Sequence, residues 1–174
     1  MDPQDAIFEL IEGAARGVEV IFADENGPRP AAPYIAFAVR WAQASSAELG
    51  RVGDDGLQAV RQHNDATVEL QAFGAAAYDG LDELALKLRH PVYEERAEAL
   101  GLAVFEVGRL QNIPVLRDST RFEKRGVLEL GVRYARSFTA PAGVIEAVEG
   151  SFRVTGGATD LPEKPFSIPA AATP

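Results

Sequence analysis

Two pairs of adjacent carboxylates, Asp24-Glu25 and Asp54-Asp55, and two histidines, His63 and His90, are the groups in this chain best suited to proton transfer or metal binding. General acid–base catalysis needs two carboxyls held across a cleft with their pKa values driven apart. Neighbours on one glycine-containing loop rarely reach that arrangement. Both pairs therefore read as solvated turn residues, with a weak cation site as the residual chemistry. Acidic residues facing a pore are a separate use that composition alone does not place. The histidines fall at an expected hairpin end and an expected helix end, and neither has an HxH or HExxH companion. They read as structural or surface groups, because a metal there would need scattered carboxylates.

Ser119 sits inside Arg117-Asp118-Ser119-Thr120-Arg121 without a base at a useful spacing, so it is no candidate nucleophile. Gly156-Gly157 is not followed by the residues of a phosphate-binding loop. The absence of cysteine removes disulfides, thiolate zinc sites and cysteine nucleophiles together. No catalytic residue, cofactor site or metal site is predicted. The densest basic cluster is Arg117 to Arg121 followed by Lys124-Arg125. It suits contact with an acidic partner, or equally a charged edge that protects a sheet from mispairing.

The elements that must carry these groups follow from periodicity. Asp2-Pro3 suits a helix cap and first turn. Ile7, Leu10, Ile11 and Ala14 then fall on one helical stripe that Gly17 ends. Val18, Val20 and Phe22 begin a strand, and the turn Asp24-Glu25-Asn26-Gly27-Pro28-Arg29-Pro30 separates it from a second apolar strand. In that second strand Ile35, Phe37, Val39 and Trp41 share one face. Tyr34, Ala36, Ala38 and Arg40 share the other, whose small residues suit close approach by a helix or neighbouring subunit. Ala44 to Asp55 reads as a long exposed loop. Leu57 to His63 and Ala66 to Phe73 read as a hairpin turning at Asn64-Asp65, with Val68, Leu70 and Ala72 facing inward.

Leu81, Leu84, Ala85 and Leu88 form a helical stripe that His90-Pro91 stops. A short helix from Pro91 to Leu100 closes at Gly101, and Leu102 to Val107 returns to strand. Leu128, Leu130, Val132 and Tyr134 then oppose Glu129, Gly131, Arg133 and Ala135, a half-buried strand with one wet or partner-facing side. Pro141 to Gly143 breaks it before a further strand. Residues 156–174 hold too few large apolar groups to order themselves, so an ordered tail there would need a neighbouring chain.

Composition sets the outer limits. A chain of 174 residues with 47% hydrophobic residues has material for one core. The net charge of −9 argues against a general nucleic-acid binder. It is compatible with an acidic wall along which DNA stays mobile, because like charge repels the phosphate backbone. The N-terminus lacks the pattern of a signal peptide, and no apolar run approaches the roughly 20 residues needed to span a bilayer. A soluble protein made in a cytoplasm, with no membrane partner, is the expectation.

The order of these elements resembles a known family. A helix and strand lead into NGPRP and the apolar PYIAFAV strand; YDGLDELALKL, GLAVFEVG and NIPVL follow; RFEKRGVLELGVRYARSF with VIEAVEGSF closes the series. Over roughly residues 1–154 this is similar to a phage neck or tail terminator protein. The resemblance implies an α+β fold, in which a mixed, mainly antiparallel sheet packs against two or three helices in a single domain. Residues 155–174 would form a Pro/Gly-rich arm. It also implies a virion part with no enzymatic activity, working as a homohexameric ring on the head-proximal end of the tail tube. Its partners would be further copies of itself, the tail tube protein, a head-completion or neck protein and, in a contractile tail, the sheath protein. DNA would pass through the channel without specific binding.

Exposure and charge nominate Asp24, Glu25, Arg29, Asp54, Asp55, Arg117, Arg121, Lys124, Arg125 and Arg133 as interface residues. Other head–tail adaptors or tube subunits, a carboxylate-based enzyme, and a cellular oligomer with a swapped arm are the competing readings.

Overall fold

The first helix, α1 (Pro3–Ala15), starts where its sequence says it should. The Asp2 side chain accepts from the Gln4 amide at 2.8 Å and proline occupies the first turn. It stops where Arg16 and Gly17 both take positive φ, 41° and 84°, a conformation glycine accepts without a Cβ penalty. The computed structural model describes residues 2–117, 121–142, 147–152 and 164–169. After α1 come β1 (Glu19–Phe22), β2 (Tyr34–Ala44), β3 (Glu48–Val52), β4 (Leu57–Phe73), α2 (Ala77–Leu88) and α3 (Pro91–Ala99). Then follow β5 (Leu102–Asn112), β6 (Val115–Arg117), β7 (Arg121–Glu123), β8 (Arg125–Pro141), β9 (Ala147–Phe152) and β10 (Lys164–Pro169). The class is α+β, with three helices and a mixed, mainly antiparallel sheet, as expected.

The chain packs as two compact units, residues 1–47 with 62–136, and residues 48–61 with 137–174. In the first, the strand order is β1-β2-β4-β8-β5. The β1–β2 pair is parallel, whereas β2–β4 and β5–β8 are antiparallel. Alternation decides what each strand buries. Ile35 and Phe37 of β2, Val68 and Leu70 of β4, and Leu128, Leu130 and Val132 of β8 all point to one side. There they meet Ile7, Leu10 and Ile11 of α1 and Leu81, Leu84 and Leu88 of α2. The rings of Phe8, Phe22 and Phe37 stack or tilt at 4.6–5.9 Å between centroids and close the core beneath α1. His90 caps α3 through Nδ1, which accepts from the Val92 amide at 3.3 Å, and Pro91 follows it. That histidine is therefore a structural group.

Five readings of the sequence change. The expected hairpin over residues 57–73 is one continuous strand, β4. Gln58, Val60, Gln62, Asn64, Ala66, Val68, Leu70 and Ala72 keep a single parity through the supposed turn. Asn64-Asp65 lacks the glycine that a two-residue turn favours, and both residues pair in register with Ala44 and Gln43. The expected loop over residues 44–55 contains β3, every residue of which is exposed and which pairs with β4.

Trp41 does not share a face with Val39. A bulge between them inserts one residue, so Trp41 lies opposite Thr67 on the sheet's other side, 56% exposed. On the small-residue side of β2 the chain packs on itself, for Ile21 of β1 and Ala23 just after it meet Tyr34, Ala36 and Phe73. Finally, residues 164–169 of the proline-rich tail pair with β9 of the same chain. Pro165 and Pro169 are four residues apart, so their missing N–H groups fall on one side of the strand and the other side remains for the ladder. Gly150 lies beneath Phe166, whose ring would be 2.9 Å from any added Cβ.

Candidate assembly surface

The helices cover one face of the first unit's sheet; the opposite face is buried where Ile21 and Ala23 pack on Tyr34, Ala36 and Phe73, and open around Trp41, Phe105 and Arg133. Odd-numbered residues of β4 point there, as do Arg40 and Trp41 of β2 and Glu129, Gly131 and Arg133 of β8. Two ion pairs cross it. Arg133 donates to both carboxylate oxygens of Asp65, at 2.6 and 2.8 Å, and its guanidinium lies 5.6 Å from the Phe105 ring centroid. This hydrogen bond holds Asp65 below the usual carboxylate range and raises Arg133.

Arg40 donates to Glu69 at 2.6 Å and lies 3.7 Å from Asp24. Burial pushes the Glu69 carboxyl upward. Hydrogen bonds from Arg40 and then Gln71, with the charges of Arg40 and Arg125, outweigh that and leave it lowered. The Glu69 hydrogen bond also raises Arg40.

A polar chain results. It runs Asp24, Arg40, Glu69, Gln71 and Arg125, through Gln71 Nε2 to Glu69 at 2.7 Å and Arg125 Nη1 to Gln71 Oε1 at 3.4 Å. Arg125 is half-buried and its Nε also donates to the Ile113 carbonyl at 3.2 Å, which makes it a clamp between segments. Of the nominated residues, the structure thus brings Asp24, Glu25, Arg29 and Arg125 into one neighbourhood. Glu25 and Arg29 line a depression of about 320 Å³ with Tyr34, Gln71 and Phe73, and Arg29 lies 5.9 Å from the Phe73 ring centroid. Arg133 stands on the same face with Asp65.

The remaining residues lie elsewhere. Asp54 and Asp55 form the tip of the β3–β4 hairpin, where Asp55 Oδ1 accepts from the Leu57 amide at 3.0 Å and Gly56 takes φ 73°. Arg117 and Arg121 are register partners in the short β6–β7 ladder. Lys124 is exposed and its carbonyl accepts from Gly74. Ser119 lies outside the described residues.

Reading the sequence alone missed Arg40, Glu69, Gln71, Asp65, Trp41 and Phe105. Alternation places the first three on one face and could have found them; Trp41 and Phe105 depend on bulges in β2 and β5.

Among the described residues no group of three or more histidines and carboxylates is placed to hold a metal, and no helix is long and apolar enough to cross a membrane. What the surface offers is exposed side chains on a rigid sheet and on a hairpin, the equipment of a subunit that works by contact. The sequence matches the profile described as phage neck terminator protein over residues 4–157, and the chain belongs to that family. Its place is therefore the tail and neck region of the virion, in association with other tail or head proteins. No curated protein matches the chain.

Proposed function

We propose that this chain caps the head-proximal end of a phage tail tube as a homohexameric ring, stops tail polymerisation and joins the tail to the head-completion proteins. The observation that carries the reading is the family match over residues 4–157. The mechanism is geometric and not enzymatic. One side of the ring imitates the next tube subunit and the other withholds the surface on which growth would continue. A ring that closes has no free lateral ends, so only this absent surface is needed to halt a filament. The subunit is made in the host cytoplasm, uses no cofactor, and conducts DNA through a channel without specific binding. Tube, neck and, in a contractile tail, sheath subunits are its partners.

The ten nominated residues remain contact candidates, with the Arg121 and Lys124 pair facing an acidic partner. Reversing both charges is expected to weaken assembly onto tails, scored by counting capped tails in electron micrographs. The decisive experiment disrupts the gene in its source phage or prophage and images the released particles. Tails of uncontrolled length, or finished tails without heads, are the expected result; normal particles would overturn the proposal.

A further inference from the structure

A depression of about 470 Å³ lies on the open sheet face, walled by Trp41 and Phe105. Its floor is main chain, because Gly108 and Gly131 contribute no side chains. A Cβ on Gly108 would meet the Glu129 carbonyl oxygen at 2.9 Å, and one on Gly131 would meet the Phe105 ring at 2.6 Å. Trp41 and Phe105 are more than half exposed, which one copy of the chain gives no reason for. Glu106 and Glu129 line the same depression, and neither has an ion-pair partner among the described residues. The site is therefore aromatic and floored by backbone, with the carboxylates Glu106 and Glu129 and one cation, Arg109, on its lining.

The complementary surface is on the same chain. On the β3–β4 hairpin, Leu49 is 71% exposed, Val52 is 42% exposed, and Leu49 pairs in register with Val60, making an aliphatic stripe. Arg51 lies between Leu49 and Val52 in the sequence, exposed and without a carboxylate partner among the described residues. We infer that the Leu49–Val52 stripe of one copy seats in the Trp41–Phe105 depression of a second, with Arg51 against Glu106 and Glu129. The two surfaces differ, so the contact is heterologous and repeats head to tail until a ring closes. The inference rests on the ring proposed above and names its lateral contact. Aromatic anchors in a desolvated pocket are where interfaces concentrate binding energy.

The absence of native cysteine makes a direct test available. Val60→Cys and Thr67→Cys, the latter lining the depression, are introduced as separate single variants. They are produced together, and each alone, in a phage lacking its own copy. Particles are collected, mildly oxidised and run on a non-reducing gel. A dimer of the chain from the mixture, and none from either variant alone, is expected.

A dimer from one variant alone would show like surfaces meeting and overturn the contact. So would a Thr67→Cys crosslink to a tube or neck subunit. Rings present without any crosslink would remove the contact and leave the terminator reading intact. Absence of the chain from the particles would overturn both.

A charge exchange checks the result without cysteines. Arg51→Glu should reduce incorporation on the order of tenfold, and combining it with Glu129→Arg should restore it. Failure of every such exchange at Glu106 and Glu129 would count against the assignment.

Discussion

The two faces of the first unit's sheet come from the same strands and differ only in which parity they show. On the helix-covered face Val68, Leu70, Leu128, Leu130 and Val132 are almost completely buried. On the open face their immediate neighbours are Thr67, Glu69, Glu129, Gly131 and Arg133, tied by ion pairs and interrupted by two exposed aromatic rings. The first face is a solved packing problem: it holds the fold and has no further business. The second is held flat and in register by the first, and its free charges and rings are disposable as far as folding is concerned. If the open face carries the contact proposed above, stability and assembly are largely separable by side of strand.

The sharpest way to break this division is in the core. Leu130→Ala deletes a buried side chain and leaves a cavity under the helices. A loss of about 2–5 kcal/mol in unfolding free energy is expected, read from denaturant midpoints. Gly108→Val acts from the other side by forcing a side chain onto the Glu129 carbonyl. It should cost about 1–3 kcal/mol and also fill the floor of the depression, lowering both stability and assembly.

Glu69→Gln tests the ion pair on the open face. Because the folded Glu69 carboxyl is depressed, its contribution is present above the ordinary carboxylate pKa and is lost as pH falls through the lower folded value. The wild-type chain should therefore lose stability on acidification below about pH 4.5. The variant should lose less over the same range, as thermal melts at stepped pH would record. Trp41→Ala should move stability by only about 0.5 kcal/mol, yet reduce incorporation into tails on the order of tenfold. If Trp41→Ala instead unfolds the chain, the separation between the faces is wrong.

How far the sequence was legible follows from the same division. Helices α1, α2 and α3 could be read from caps and stripes because Asp2, His90-Pro91 and Gly101 act locally. The inward residues of β4 and β8 could be read because unbroken alternation needs no knowledge of neighbours. The Asn64-Asp65 turn is absent because the burial parity of β4 runs straight through these two residues, which pair with Ala44 and Gln43. Asn64 stays buried in that row, its Nδ2 without a hydrogen-bond partner among the described residues.

Trp41 was misplaced for a different reason. A bulge is a property of two strands, and one strand's sequence does not announce it. The pairing of residues 164–169 with β9 was invisible for the opposite cause. Composition spoke of disorder, while Gly150 beneath Phe166 supplies the local packing that composition averages away. Of the assembly surface, the charged loops were legible and the polar chain through Arg40, Glu69 and Gln71 was not, since it joins residues from two strands.

Pro165 and Pro169 have one more bearing on how the particle is put together. With β9 on one side and two amide-free positions on the other, β10 is a poor template for another chain's backbone. Whatever the β9–β10 hairpin meets must grip it by Phe166 and Ile168, which are exposed, and not by zipping a further strand onto its border. If this hairpin reaches a neighbouring subunit, it would lie against it by side chains alone, without the neighbour's sheet growing through it.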